Sequence, residues 1–386
     1  IMIENKKKLG RGENEQISIG EDLNQNEITE KILKVIFNEN FIKEIMDDVL
    51  AKEFINYLKK SKKIIFELNK HEQIYCNHLL NNPLKVIKYL IFRYKFRQTG
   101  EKKILLDYPP YILIEPVSAC NLRCPFCFQS DKTFTVKSNM GVMKFDLFKK
   151  VVDEANLLGT GAITLASRGE PTMNKKLNLM IEYLSKKENI FEIKLNTNAS
   201  FLTEDLCHTI LKSKVNQVVI SADHYEKKDY ERLRLNAKFE KILANVDQFF
   251  EIRKKHYPDS ITEIRVSGVD SDKNLNRKKF RDFWITRSDH VTATLPMERW
   301  NTYENKRCTK ITDPCERLWD RMYVWYDGKV NPCDADYKSY LSFGDVSKET
   351  ISAVWKSNKI KELREQHINN LRNKTVPCDR CGVTFK

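Results

Sequence analysis

The chain has 386 residues, 41% of them hydrophobic, and a formal net charge of +14 from 67 Lys and Arg against 53 Asp and Glu. That composition excludes a disordered chain and allows two or three domains around a sizeable core; its lysines are scattered rather than gathered, so nucleic acid is not an expected partner. No run approaches the roughly 18 apolar residues of a transmembrane segment and no signal peptide is read at the start, so a cytoplasmic protein is expected, in which ten cysteines point to metal ligation rather than disulfides.

Residues 1–27 are polar and expected to be mobile. Residues 28–105 read as a helical region, with Ile32, Val35, Ile36, Ile42, Ile45 and Met46 at steps of three, four and seven. Within it, 84–96 reads as a basic amphipathic helix with Ile87, Leu90, Ile91 and Tyr94 on one side, docked on the next domain or against a membrane surface. From 106 to 296 strands and helices alternate. Strands are expected at 111–117, 162–166, 191–196, 217–221, 261–269 and 290–295. Helices are expected at 144–158, ending at Gly159, at 175–186, from a Thr203 cap to about 214, at 239–256 and at 276–285. Regular alternation predicts an α/β fold with a parallel sheet curled into a partial, TIM-like (β/α)6 barrel, whose chemistry sits at the carboxyl ends of the strands. Residues 297–386 are short elements carrying Cys308 and four further cysteines. Cys76 and Cys207 fall in helical patterns and read as small core residues.

The first strand runs into Cys120, Cys124 and Cys127, spaced C-x3-C-x2-C. Three thiols on one loop can converge on three irons of a [4Fe–4S] cube and leave the fourth iron open, as a catalytic site requires. With this motif the chain resembles the radical S-adenosylmethionine (SAM) superfamily from about residue 108 onward. The resemblance implies that SAM chelates the open iron. An electron from the cluster then splits it to methionine and a 5′-deoxyadenosyl radical, which takes a hydrogen atom from the substrate. It also implies a reductant such as a flavodoxin or ferredoxin. Residues 167–171, Ser-Arg-Gly-Glu-Pro, match the family's Gly-Gly-Glu motif, with Arg168 in place of the first glycine. Carried over on such matches, Phe126, Arg168, Gly169, Glu170, Asn198, Ser221 and Arg234 are implied SAM contacts.

Cys315, Gly328 and Cys333, then Cys378 and Cys381 after a long gap, pair four thiols that suit a structural zinc or a fully ligated [4Fe–4S] cluster. The pattern resembles the twitch domain, a shortened SPASM domain, which implies one auxiliary cluster. A full SPASM domain would continue with three more cysteines, and the sequence ends at Lys386. Cys308 is a candidate hydrogen-atom donor near the seam of the two domains, and His224, Arg265 and Trp300 are candidate substrate contacts. The cluster pattern resembles that of enzymes of the 2-deoxy-scyllo-inosamine dehydrogenase type. The expected substrate is therefore a polar small molecule, a carbohydrate, aminocyclitol or sugar nucleotide, undergoing epimerisation or dehydrogenation by an oxidoreductase or epimerase. The other reading is maturation of a ribosomally made peptide.

Overall fold

Short polar side chains start the helices of the N-terminal part of the chain. The computed structural model describes residues 17–18, 25–36, 48–213, 215–295, 301–308 and 310–383. It divides into two units, Ser18–Leu106, and Asp107–Lys386 with Ile1–Ile17. Most of the polar segment 1–27 lies outside the described residues, as do Ile42, Ile45 and Met46. The helices of the smaller unit are α1 (Gln25–Ile36), α2 (Val49–Ser61), α3 (Lys70–His78) and α4 (Pro83–Lys102). Asp48 caps α2 by accepting from Ala51 N at 2.8 Å, Asn69 and Glu72 form a reciprocal capping box on α3, and Pro83 opens α4.

Helix α4 differs from the one-sided stripe expected for 84–96. Val86, Ile87, Tyr89, Leu90, Ile91, Phe92 and Tyr94 are all buried, on successive faces, so this is an enclosed helix with no free apolar side for a membrane. Its rings meet Phe54 of α2 (Tyr94, 5.4 Å between centroids) and Tyr75 of α3 (Tyr89, 4.8 Å, edge-on). Among the described residues no helix is long and apolar enough to cross a membrane.

In the larger unit the expected alternation is present: β1 (Tyr111–Ile114), α5 (Phe145–Leu158), β2 (Ala162–Leu165), α6 (Leu177–Leu184), β3 (Glu192–Thr197), α7 (Glu204–Lys212) and β4 (Gln217–Ser221). There follow α8 (Lys227–Leu233), α9 (Phe239–His256), β5 (Glu263–Val269), α10 (Arg277–Trp284) and β6 (His290–Thr294). Local signals set the ends. Gly159 takes φ +92° to close α5, Thr203 accepts from Leu206 N, and Asn276 accepts from Lys279 N. The first strand stops at Ile114 rather than 117: Glu115 N still donates to Val324 O, but Pro116 follows and has no N–H to donate. Helix α8 was not expected; at seven residues it is too short to show a period.

Strands β1 to β6 pair in parallel and in order as an open sheet, not a closed barrel. Ile112, Ile163, Leu195, Val218, Ile220, Ile264 and Val266 face the helices and share a core with Phe148, Met180, Ile210 and Phe249. The opposite, concave face carries Thr164, Lys194, Asn196, Ser221, Arg265, Ser267 and Thr292, because side chains alternate along a strand.

The C-terminal segment adds α11 (Arg317–Asp320), β7 (Met322–Val324), β8 (Lys329–Asn331), β9 (Gly344–Asp345), α12 (Ile351–Trp355) and α13 (Asn358–Ile368). Strand β7 pairs in parallel with β1, and β8 and β9 extend the sheet antiparallel. Domains expected as separate are thus one sheet. An ion pair seals the join: Arg168 donates Nε to Glu115 Oε1 at 2.7 Å and Nη2 to Oε2 at 2.6 Å, with both side chains buried. Glu115 also accepts from Tyr326 N, while Arg168 Nη1 donates to Tyr337 O at 3.0 Å. Breaking such a pair from one side strands a buried charge, at a cost of roughly 3–5 kcal/mol. Glu115→Ala should therefore lower unfolding free energy in denaturant by about that amount, and Glu115→Ala combined with Arg168→Met should lose clearly less.

Candidate active site

Residues 118–127 leave the carboxyl end of β1 and are held by polar cross-links. Gly141 N donates to Ser118 Oγ at 2.8 Å, and Gln129 Nε2 donates to the carbonyls of Ser118 (2.7 Å) and Arg168 (2.6 Å). Asn198 Nδ2, beyond β3, donates to Asn121 Oδ1 at 2.9 Å and approaches Cys120 Sγ at 3.8 Å. Gly169 lies against this loop so closely that a Cβ would overlap the carbonyl oxygens of Val117 and Ala119, so only glycine fits.

The three thiols lie in one electrostatic neighbourhood. Burial pushes Cys120 up to about 11 and Cys127 up to about 12 and also raises Cys124, while Arg234 pulls all three down. Arg234 is buried and paired with Asp223 (Nε to Oδ2, 2.9 Å), which also accepts from Val269 N. The trio thus lies beside a cation that favours the thiolate, the form that binds a metal. Glu170 is enclosed, and burial raises its pKa. Its Oε1 accepts from Thr172 Oγ1 and Thr197 Oγ1, each at 2.6 Å, and its Oε2 from Asn198 N at 2.7 Å. Ser221 ends β4 opposite Ser267, and Phe126, half-buried, packs against the same core as Cys120 and Cys127. The Arg168 side chain is committed to Glu115 and Tyr337 and its N–H to Glu115, so only the second lone pair of its carbonyl, which already accepts from Gln129, is left to face a ligand.

In the C-terminal segment, Cys315, Cys333, Cys378 and Cys381 form a second set of thiols that feel one another. Burial raises Cys315, Cys333 and Cys378, and each of these feels neighbouring thiols of the set. Arg317 opposes that rise at Cys315 and Cys333, and Arg372 at Cys315 and Cys378. Arg372 also ties the loops, donating to Val383 O at 2.8 Å and Cys381 O at 3.3 Å.

The remaining expected residues are dispersed. Cys308 N donates to Asp379 O at 2.6 Å, which places it against the turn between Cys378 and Cys381. His224 stacks on Tyr225 (4.6 Å) and comes together with Glu226 and Asp229. Arg265 is on the concave face, level with His290. Trp300 lies outside the described residues. Cys76 and Cys207 are fully buried. Sequence reasoning missed Glu115, Asn121, Gln129, Arg317 and Arg372. Each acts through partners far along the chain, and no spacing marks them.

Residues 114–265 match the model of the radical SAM superfamily, and 315–382 that of the SPASM iron–sulfur cluster-binding domain. The GTP 3′,8-cyclase of Clostridium botulinum (strain Langeland) is 27% identical over 308 residues, covering 69% of this chain and 94% of that protein. Two solved structures share the fold. Streptococcus suis SuiB has a TM-score of 0.53 at 15% identity, over 95% of this chain and 87% of its own. The enzyme anSMEcpe with bound AdoMet has a TM-score of 0.52 at 16% identity, over 67% of this chain and 83% of its own. The chain belongs to the radical SAM superfamily, as a member that carries a SPASM domain. Its cofactors are SAM and two [4Fe–4S] clusters. The two cysteine sets fit them: a three-thiol set with an open position and a four-thiol set that is complete. When bound, the first cluster and SAM together supply an electron and a hydrogen-abstracting radical.

Reconstituted protein should hold about eight irons, and replacing Cys120, Cys124 and Cys127 together by Ala should leave about four. Iron and zinc analysis checks this, and about four irons with one zinc in the wild type would contradict it.

Proposed function

We propose that this radical SAM enzyme takes a hydrogen atom from a polar small molecule of carbohydrate, aminocyclitol or sugar-nucleotide type. The observation that carries the reading is the concave face, where Lys194, Asn196, Arg265, Ser267 and Thr292 follow one another with few apolar residues between. A hydroxyl-rich molecule can satisfy such groups, whereas an apolar one would leave them unpaired. The C. botulinum relative is named for GTP, itself a polar nucleotide, which agrees with this chemistry. Phe126, Gly169, Glu170, Asn198, Ser221 and Arg234 are the proposed SAM contacts, with the main chain of Arg168. Glu170, already anchored by Thr172, Thr197 and Asn198, would orient the SAM amino group, and Arg234 its carboxylate.

The proposed outcome is epimerisation, with Cys308 returning hydrogen to the substrate carbon; dehydrogenation is the alternative outcome at the same site. One observation favours a second substrate class. SuiB, whose structure has also been solved with its precursor peptide SuiA, aligns with 95% of this chain and so includes part of the helical region before residue 107. Peptide maturation would use that region for recognition.

Sugar nucleotides and aminocyclitols, tested beside short peptides, should be the compounds that raise 5′-deoxyadenosine formation. In heavy water the product should carry one deuterium at the inverted carbon. Cys308→Ala should still form 5′-deoxyadenosine while losing the inverted product. A product two hydrogens lighter would replace epimerisation by dehydrogenation, and stimulation by peptides alone would replace the substrate class. For the cofactor contacts, Glu170→Gln should weaken SAM binding in equilibrium dialysis with iron content unchanged. Equal affinity in the two proteins would remove Glu170 from the SAM site.

A further inference from the structure

Strand alternation places Arg265 between Ile264 and Val266, two residues that face the helices, and so puts it on the concave face. By register it is level with Val219 and His290, two residues below the layer formed by Ser221, Ser267 and Thr292. Two residues of strand are about 7 Å, a span its side chain crosses. Arg265 Nη2 donates to Thr292 Oγ1 at 3.0 Å, and Thr292 Oγ1 in turn donates to Ser267 Oγ at 3.3 Å. The guanidinium therefore stands at the height of Ser221, which closes the neighbouring strand.

This guanidinium is short of counter-charge. Its Nε is buried and meets no acceptor among the described residues. Burial pulls its pKa down, and Glu263 opposes that only in part. Glu263 is itself held by Gln217 and by His290 Nδ1 at 3.3 Å. The partner it does have, the Thr292 hydroxyl, carries no charge. A half-buried cation whose one hydrogen-bond partner among the described residues is neutral is stabilised when an anion arrives. Guanidinium and two nearby hydroxyls match the oxygens of a phosphate or carboxylate, which accept several hydrogen bonds at once.

We propose that Arg265, with the hydroxyls of Ser267 and Thr292, receives an anionic group of the substrate, a phosphate or a carboxylate. The proposal rests on the reading that a polar small molecule occupies the concave face, and it narrows that molecule to one bearing a negative charge. The rest of the molecule then extends from β5 and β6 across the sheet toward the cysteine loop that follows β1.

Inorganic phosphate and acetate serve as probes. Cluster-loaded, SAM-bound protein is reduced with dithionite, and the phosphorus relaxation of phosphate and the methyl proton relaxation of acetate are measured. The paramagnetic cluster should speed the relaxation of whichever probe binds nearby, and excess of that probe should saturate the effect. Phosphate alone responding identifies a phosphorylated substrate, and acetate alone a carboxylate. In Arg265→Gln the apparent affinity should fall about tenfold or more, the worth of a hydrogen bond to a charged group, with Arg265→Lys in between. Iron content and visible absorbance report whether the variant is folded and loaded. Should Arg265→Gln fail that check, Thr292→Val replaces it, with a several-fold loss expected. No relaxation of either probe by the wild type, or equal relaxation by wild type and a loaded variant, overturns the site. The outcome is separate from the turnover assay: a peptide found as substrate would displace the small-molecule reading while the probe measurement would still report on Arg265.

Discussion

One buried ion pair, Glu115 with Arg168, fixes the relation among the parts of the larger unit. Glu115 closes β1 just before the cysteine loop, and Arg168 stands in the motif loop after β2. Their charges are out of water, so every donor and acceptor around them must be met, and most are. Glu115 takes Arg168 Nε and Nη2 and Tyr326 N, and Arg168 Nη1 reaches Tyr337 O with its plane 4.2 Å from the Trp325 ring. Such a pair adds little net stability compared with an apolar contact, but it tolerates few alternative arrangements. It explains the departure at residue 168, where the family's motif has glycine. The close main-chain approach is made by Gly169 alone, which frees the preceding position for an arginine that grips the C-terminal segment.

The cysteine loop depends on the same logic one layer further out. Burial raises the pKa of its thiols. The loop is held by hydrogen bonds that do not involve the thiols: from Gln129 to two carbonyls, from Asn198 to Asn121, between Ser118 and Gly141, and from the Arg123 guanidinium to the carbonyls of Cys120 and Leu122. None of these groups needs to change protonation when metal enters, so the loop is positioned in advance and only the thiols respond.

What the sequence made legible was local. Caps at Thr203 and Asn276, the closing Gly159 and both cysteine sets act within a few residues or announce themselves by spacing. What it hid was long-range. Nothing near Leu84 tells that α4 is enclosed on successive faces, because enclosure depends on α2 and α3. Nothing near Met322 tells that β7 pairs with β1, more than two hundred residues earlier. Cys308 was expected to stand at a seam between domains. The structure ties it to Asp379, a contact that no periodicity encodes.

The pairing of β7 with β1 bears on how the two iron–sulfur sites act together. The first cysteine set leaves the carboxyl end of β1, and Cys315 and Cys333 flank the β7–β8 hairpin, so both sets are rooted in neighbouring strands of one sheet. Strands joined by main-chain hydrogen bonds do not slide past one another without breaking several at once. The auxiliary set is therefore part of the scaffold that holds the active site, and not an appendage on a flexible tether. Substitutions that loosen β7 should be felt at Cys120 as well as at Cys333. By the same reasoning Cys308, held to the turn between two auxiliary ligands, keeps a fixed station relative to the sheet, and whatever it contributes to the reaction must be delivered from that place.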